Sequence, residues 1–118
     1  METTQNNRLI AEFMGYELEE TLTDDTFVYA IPTINNNLDF FEPNELLYHT
    51  DWNWLMGVVK KINTSDYTVE IHSMDTRIYN NNTGIIIFES ECKWQQDELL
   101  NSVYEAVIEF IKWYNENK

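Results

Sequence analysis

From Gln96 to Asn115 the apolar side chains recur at helical spacing. Leu99, Leu100, Val103, Tyr104, Val107, Ile108, Phe110, Ile111 and Tyr114 form one broad arc, with Glu98, Glu105, Glu109, Lys112 and Glu116 opposite. A helix with so wide an apolar face is held by what that face packs against, more than by its own propensity. The rest of the chain must therefore supply a surface for it to cover.

Two other helices are legible. Residues 5–14 pair Leu9 with Phe13 and Ile10 with Met14, and Gly15 supplies a stop. A second helix opens at Thr50 as N-cap, keeps its period through Trp52, Leu55, Val59 and Ile62, and ends on Lys60-Lys61. Trp54 and Val58 widen its apolar stripe, and the tryptophans fall on the arc that faces the core. Gly57 in its middle predicts a bend or the close approach of a neighbour.

Residues 26–31 read as a strand that ends at Pro32, whereas 33–47 read as irregular around Pro43. A three-stranded meander follows. Residues 67–72 alternate, 76–80 run through Ile78, and Ile85-Ile86-Ile87-Phe88 is apolar on both faces and so predicts a strand buried on both sides. Asn35–Asn37 and Asn80–Asn82 read as turns. The expected fold is α+β in the order α-β-α-β-β-β-α, with three helices on a small, mostly antiparallel sheet. Helices on both sheet faces would make it an α/β/α sandwich. At 118 residues the chain reads as a single domain.

Charge narrows the function classes. Seven basic residues face 21 acidic ones, a net charge of −14. Residues 1–59 alone carry −10, with Arg8 as their one base. Phosphate is repelled, so direct binding to nucleic acid or to an anionic membrane is not expected. The expected partner is a basic or nucleic-acid-binding protein. Nothing in the sequence specifies an oligomeric state. The single Cys92, the polar stretch from Met1 to Arg8 and the lack of a membrane-length apolar run predict a cytoplasmic location, that of a host cell if the chain is phage-encoded.

Chemistry-bearing motifs are sparse. His49 and His72 are the two histidines, and with Asp51 and Asp75 they match no metal-ligand spacing. Cys92 beside Lys93 has no partner motif, and the three glycines are isolated, so no phosphate loop is present. No catalytic residue, metal or cofactor is assigned, and the expectation is a protein without enzymatic activity. Two regions remain as binding candidates. The first is the stretch Tyr48 to Trp54, in which Tyr48, His49, Asp51 and Trp52 join aromatic rings to a helix start suited to an anion or a ring. The second is an acidic surface made of Glu17, Glu19, Glu20, Asp24, Asp25, Asp39, Glu42 and Glu45, flanked by Tyr16, Phe40 and Phe41.

Three stretches carry a resemblance: Asn7-Arg8-Leu9-Ile10-Ala11-Glu12-Phe13-Met14-Gly15, Tyr48-His49-Thr50-Asp51-Trp52-Asn53-Trp54-Leu55-Met56, and Glu105-Ala106-Val107-Ile108-Glu109-Phe110-Ile111-Lys112-Trp113-Tyr114-Asn115. Together they resemble small, largely uncharacterised α/β proteins of bacteriophages and mobile elements of Bacteroidetes-type bacteria. The chain departs from that group at Gly57, where such proteins often carry proline, and residues 16–47 lie outside the likeness. The resemblance implies a setting, that of a phage-type accessory protein and not a housekeeping enzyme, and it brings no catalytic residues with it. Within that setting the expected function is to bind a host or phage protein, in host takeover or anti-defence. Two rival readings are an acidic DNA mimic that inhibits a nucleic-acid-binding enzyme, and a small-molecule or nucleotide binder using Tyr48–Trp54.

Overall fold

The computed structural model describes residues 2–20, 27–32, 37–72, 75–91 and 98–117. Read from the sequence as one domain, the chain divides into two compact units, residues 1–47 and 48–118. Among the described residues are three α-helices and two three-stranded antiparallel sheets, an α+β fold. The expected single sheet is thus two. The difference lies in two further strands, one at 18–20, which the sequence reading leaves unassigned, and one at 38–41, inside the stretch it reads as irregular.

The first unit opens with α1 (Glu2–Phe13). Its fully buried positions are Asn7, Ile10 and Ala11, one stripe at the spacing of three and four that brings side chains onto a common face. Gly15 ends it at φ 92°, as expected. The Tyr16 amide reaches back to the Ala11 carbonyl and the Gly15 amide to that of Glu12, so two carbonyls that a helix end leaves open are satisfied. Asn7 donates from Nδ2 to the Leu46 carbonyl at 3.1 Å, tying the buried helix face to the end of the unit.

Strands β1 (Leu18–Glu20), β2 (Phe27–Pro32) and β3 (Leu38–Phe41) follow, with β2 in the middle. Leu18 is opposite Tyr29 on one side, and Phe41 is opposite Tyr29 on the other. Period-2 alternation buries Tyr29 and Ile31, while Val28 and Ala30 turn to the other sheet face with Leu38 and Phe40. A short 3-10 turn, Pro43–Glu45, packs against α1 and β2. Its start is closed by the Glu45 carboxylate, which accepts from the Glu42 amide at 2.8 Å.

In the second unit α2 (Trp52–Asn63) buries Leu55, Val58, Val59 and Ile62. Asp51, not Thr50, is its N-cap: the carboxylate accepts from the Asn53 amide at 2.8 Å. Strands β4 (Tyr67–Ile71), β5 (Asp75–Asn80) and β6 (Ile86–Glu91) form the predicted meander, with β5 central. Asn63 Oδ1 accepts from the Val69 amide at 2.7 Å and so fastens the end of α2 to β4. The Asn80–Asn82 turn is present. Asn80 Oδ1 takes the amides of Asn82 and Thr83, and Gly84 follows at φ 73°.

The long helix α3 (Glu98–Asn117) packs on β5 and β6, with Val103, Ala106, Val107, Ile108, Phe110 and Ile111 buried. Ser102 sits within this apolar arc, 3.2 Å from the Ser90 carbonyl and 3.1 Å from Thr76 Oγ1. A carbonyl can only accept, so Ser102 donates to Ser90 and is free to accept from Thr76. These three buried polar groups satisfy one another where helix meets sheet. At the other end of α3, Tyr67 stands edge-on to Phe110 and Trp113, with ring centroids at 5.0 and 5.8 Å.

The opposite face of this sheet is charged. Arg77 hydrogen-bonds Glu89 across to β6 and lies 3.2 Å from Asp75. The bond to Glu89 and the charge of Asp75 raise its pKa above the ordinary arginine value. Glu70 adjoins His72 at 2.6 Å, near the end of β4. In this unit, therefore, α3 shares its side of the sheet with Thr76 and Ser90, and the other side carries charge.

One expectation fails here, and another loses one of its two alternatives. Residues 85–88 are not buried on both sides: β6 is an edge strand, and Ile85 is 62% exposed, with Ile86 also exposed. Gly57 answers to no close neighbour either, since a Cβ built there meets nothing within 4 Å. Glycine costs a helix interior about 1 kcal/mol relative to alanine. Gly57→Ala is accordingly expected to stabilise the protein by about 1 kcal/mol. A denaturant midpoint unchanged or lowered would mean that the flexibility is needed.

Candidate functional site

The stretch from Tyr48 to Trp54 is split by the fold into core and surface. Tyr48 is only 2% exposed and meets Trp54 edge-on at 5.1 Å. Asp51 is occupied in capping α2, so its charge already balances the amides that would have received an anion. His49 lies half-buried against Tyr104, ring centroids 6.2 Å apart. Trp52, expected on the core arc, is 39% exposed. The reason is positional. A helical side chain covers the turn N-terminal to its own Cα, and Trp52 is the first residue of α2 with no turn before it.

His49 and Trp52 line a cleft of about 760 Å3 with Thr50, Leu99, Leu100 and Asn101. Of the four binding candidates in this stretch, the cleft brings these two together and leaves out Tyr48 and Asp51. Leu99, Leu100 and Asn101 come from the first turn of α3. Sequence periodicity assigns the two leucines to the core arc, and their half-burial on the cleft wall carries no signal in the pattern. Among the described residues no three His, Cys, Asp or Glu side chains are grouped to hold a metal ion.

The acidic candidates fall on the first unit. Glu17, Glu19 and Glu20 are exposed on and just before β1, and Asp39 is exposed on β3. Glu42 and Glu45 bracket the 3-10 turn, where Glu45 also serves as a cap. Asp24 and Asp25 lie outside the described residues, as do Cys92 and Lys93. Of the flanking aromatics, Tyr16 and Phe41 are half-buried, and Phe40 is 61% exposed. Leu38, two strand positions away and so on the same sheet face, is 55% exposed.

This placement joins two features. Residues 1–47 hold ten acids against Arg8 alone, and the outer strand of their sheet shows two large apolar side chains to solvent. A carboxylate-rich unit of this kind repels polyanions and attracts cationic surfaces. No helix is long and apolar enough to cross a membrane among the described residues. Compared with known protein families, curated proteins and solved structures, the chain matches none.

Proposed function

We propose that the protein is a non-enzymatic accessory protein of the phage type that binds a basic protein of host or phage through its acidic first unit. The phage setting rests on the resemblance of residues 7–15, 48–56 and 105–115. The binding role rests on one observation above all. Leu38 and Phe40 stand exposed on β3 in a unit whose surface is overwhelmingly acidic. Buried aromatic and aliphatic anchors inside a polar rim are what protein interfaces are built from.

The test is capture from bacterial lysate with the tagged chain, identification of what is retained, and direct binding of the purified candidate. The expected partner is basic, and binding weakens as salt rises. Phe40→Ser should weaken it with the fold intact. A partner that binds parent and Phe40→Ser alike would remove the first unit from the interface. Competition by DNA would identify a nucleic-acid-binding partner, the case in which the carboxylates imitate phosphates.

A second reading is supported by the cleft at His49 and Trp52, whose volume is in the range of small-molecule sites. In that reading a ligand with a flat ring stacks on Trp52, and Asn101→Trp, which fills the cleft, blocks it without affecting partner capture.

A further inference from the structure

The backbone of β3 carries more information than its side chains. In an antiparallel ladder, directly opposed residues alternate between pairs that exchange both hydrogen bonds and pairs that exchange none. Pro32 is opposite Leu38. Proline has no N–H, so this pair cannot be a mutually bonded one. The bonded pairs are then Ile31 with Asp39 and Tyr29 with Phe41, two residues on. It follows that the N–H and C=O groups of Leu38 and Phe40 turn away from β2. Since β3 is last in its sheet among the described residues, they turn to an edge with no further described strand.

Leu38 and Phe40 thus present exposed side chains and outward backbone groups at the same two positions. Of the other three edges, β4 has its outward Val69 amide taken by Asn63 Oδ1, and β1 and β6 are blunted. β1 has three residues, two of them glutamates. β6 carries Glu89 and Glu91, and a bulge interrupts its pairing at Ile78/Tyr79. β3 contains no lysine, proline or bulge, and its one charged residue, Asp39, alternates to the sheet face opposite Leu38 and Phe40.

We infer that β3 is a docking edge, to which an extended, basic segment of a partner protein adds as a fourth strand. The chemistry of the occupant follows from charge. Asp39 on the strand and Glu42 and Glu45 just after it are anionic, in a unit with ten acids and one base. A segment alternating lysine or arginine with apolar residues would place its apolar row over Leu38 and Phe40 and its cations among the carboxylates. A second copy of this chain brings another β3 with the same negative charge, which opposes self-pairing.

This inference rests on the reading of the first unit as a protein-binding surface, and it can fail separately. The probe is a short labelled peptide of alternating lysine and valine, titrated against the full chain at low salt and followed by fluorescence anisotropy. Two perturbations remove backbone hydrogen bonds and leave charge untouched. One is the same peptide N-methylated at every bond. The other is Phe40→Pro, which deletes an outward N–H at a position where an edge strand tolerates proline. Each is expected to weaken binding about tenfold, as loss of one or two hydrogen bonds should. Phe40→Leu, which keeps the N–H, should bind near the parent level, and circular dichroism checks each fold.

Equal affinity for the methylated peptide, or no binding of the parent peptide, overturns strand addition. If a captured partner then still depends on Phe40, the protein-binding reading survives without it. If neither peptide nor partner depends on this unit, both fall. A dimer in sedimentation that Phe40→Pro separates would assign the edge to a second copy, and would also overturn the inference.

Discussion

Val107→Asp abolishes the cooperative thermal transition of the second unit. Val107 is fully buried in α3, in the face that packs on β5 and β6. A carboxylate there loses its water, and the surrounding wall of Val103, Ala106 and Ile111 offers it no countercharge. Uncompensated buried charges cost on the order of 4–5 kcal/mol, against a total stability of roughly 5–15 kcal/mol for a whole domain. Glu105→Ala, on the exposed side of the same helix, should shift stability by about 0.5 kcal/mol at most. The pair is measured by circular dichroism and a thermal melt. A near-parental melt for Val107→Asp would mean that α3 faces the other way.

Replacing Glu17, Glu19, Glu20 and Asp39 by their amides slows association with a basic partner by about tenfold at low salt. All four are exposed, and amides match carboxylates in size, so the fold should be little affected. Long-range attraction acts on the encounter, which places the effect in the association rate, while dissociation stays close to parental. Raising the salt screens the parent and leaves the variant with less to lose, so the two rates converge. Surface plasmon resonance against the captured partner at two ionic strengths resolves both quantities. Parallel salt slopes for parent and variant would reduce the acidic surface to a solubilising role.

The helices were legible because their signal repeats. Leu55, Val59 and Ile62 in α2 and Val103, Val107 and Ile111 in α3 mark a face several times over, and packing follows the marking. β1 and β3 were not legible. Leu18-Glu19-Glu20 is too short to show alternation, and Leu38-Asp39-Phe40-Phe41 lies between Pro32, which ends β2, and Pro43 of the 3-10 turn. They are strands because β2 offers each of them a ladder, and pairing is a tertiary fact. Runs mislead for a similar reason. Ile85-Ile86-Ile87-Phe88 has the composition of a buried strand, but its burial depends on its place in the sheet order.

The candidate site divides the same way. The acids can be counted from the sequence, yet which of them share a sheet with an open edge strand cannot. Ser102 is hidden among apolar neighbours in the sequence, and the period that assigns Trp52 to the core says nothing about where a helix starts. The feature that carries the docking edge, Pro32 opposite Leu38, spans two elements of which only one was anticipated.

Every strand in both sheets pairs with a strand adjacent to it in the chain, β1 with β2 and β2 with β3, then β4 with β5 and β5 with β6. Each sheet closes over a short length of polypeptide, so little loop entropy is lost before its contacts form. On the ribosome this has a consequence for timing. The residues that build the first sheet are all synthesised before α2 begins, and that sheet can assemble while the C-terminal helix is still untranslated.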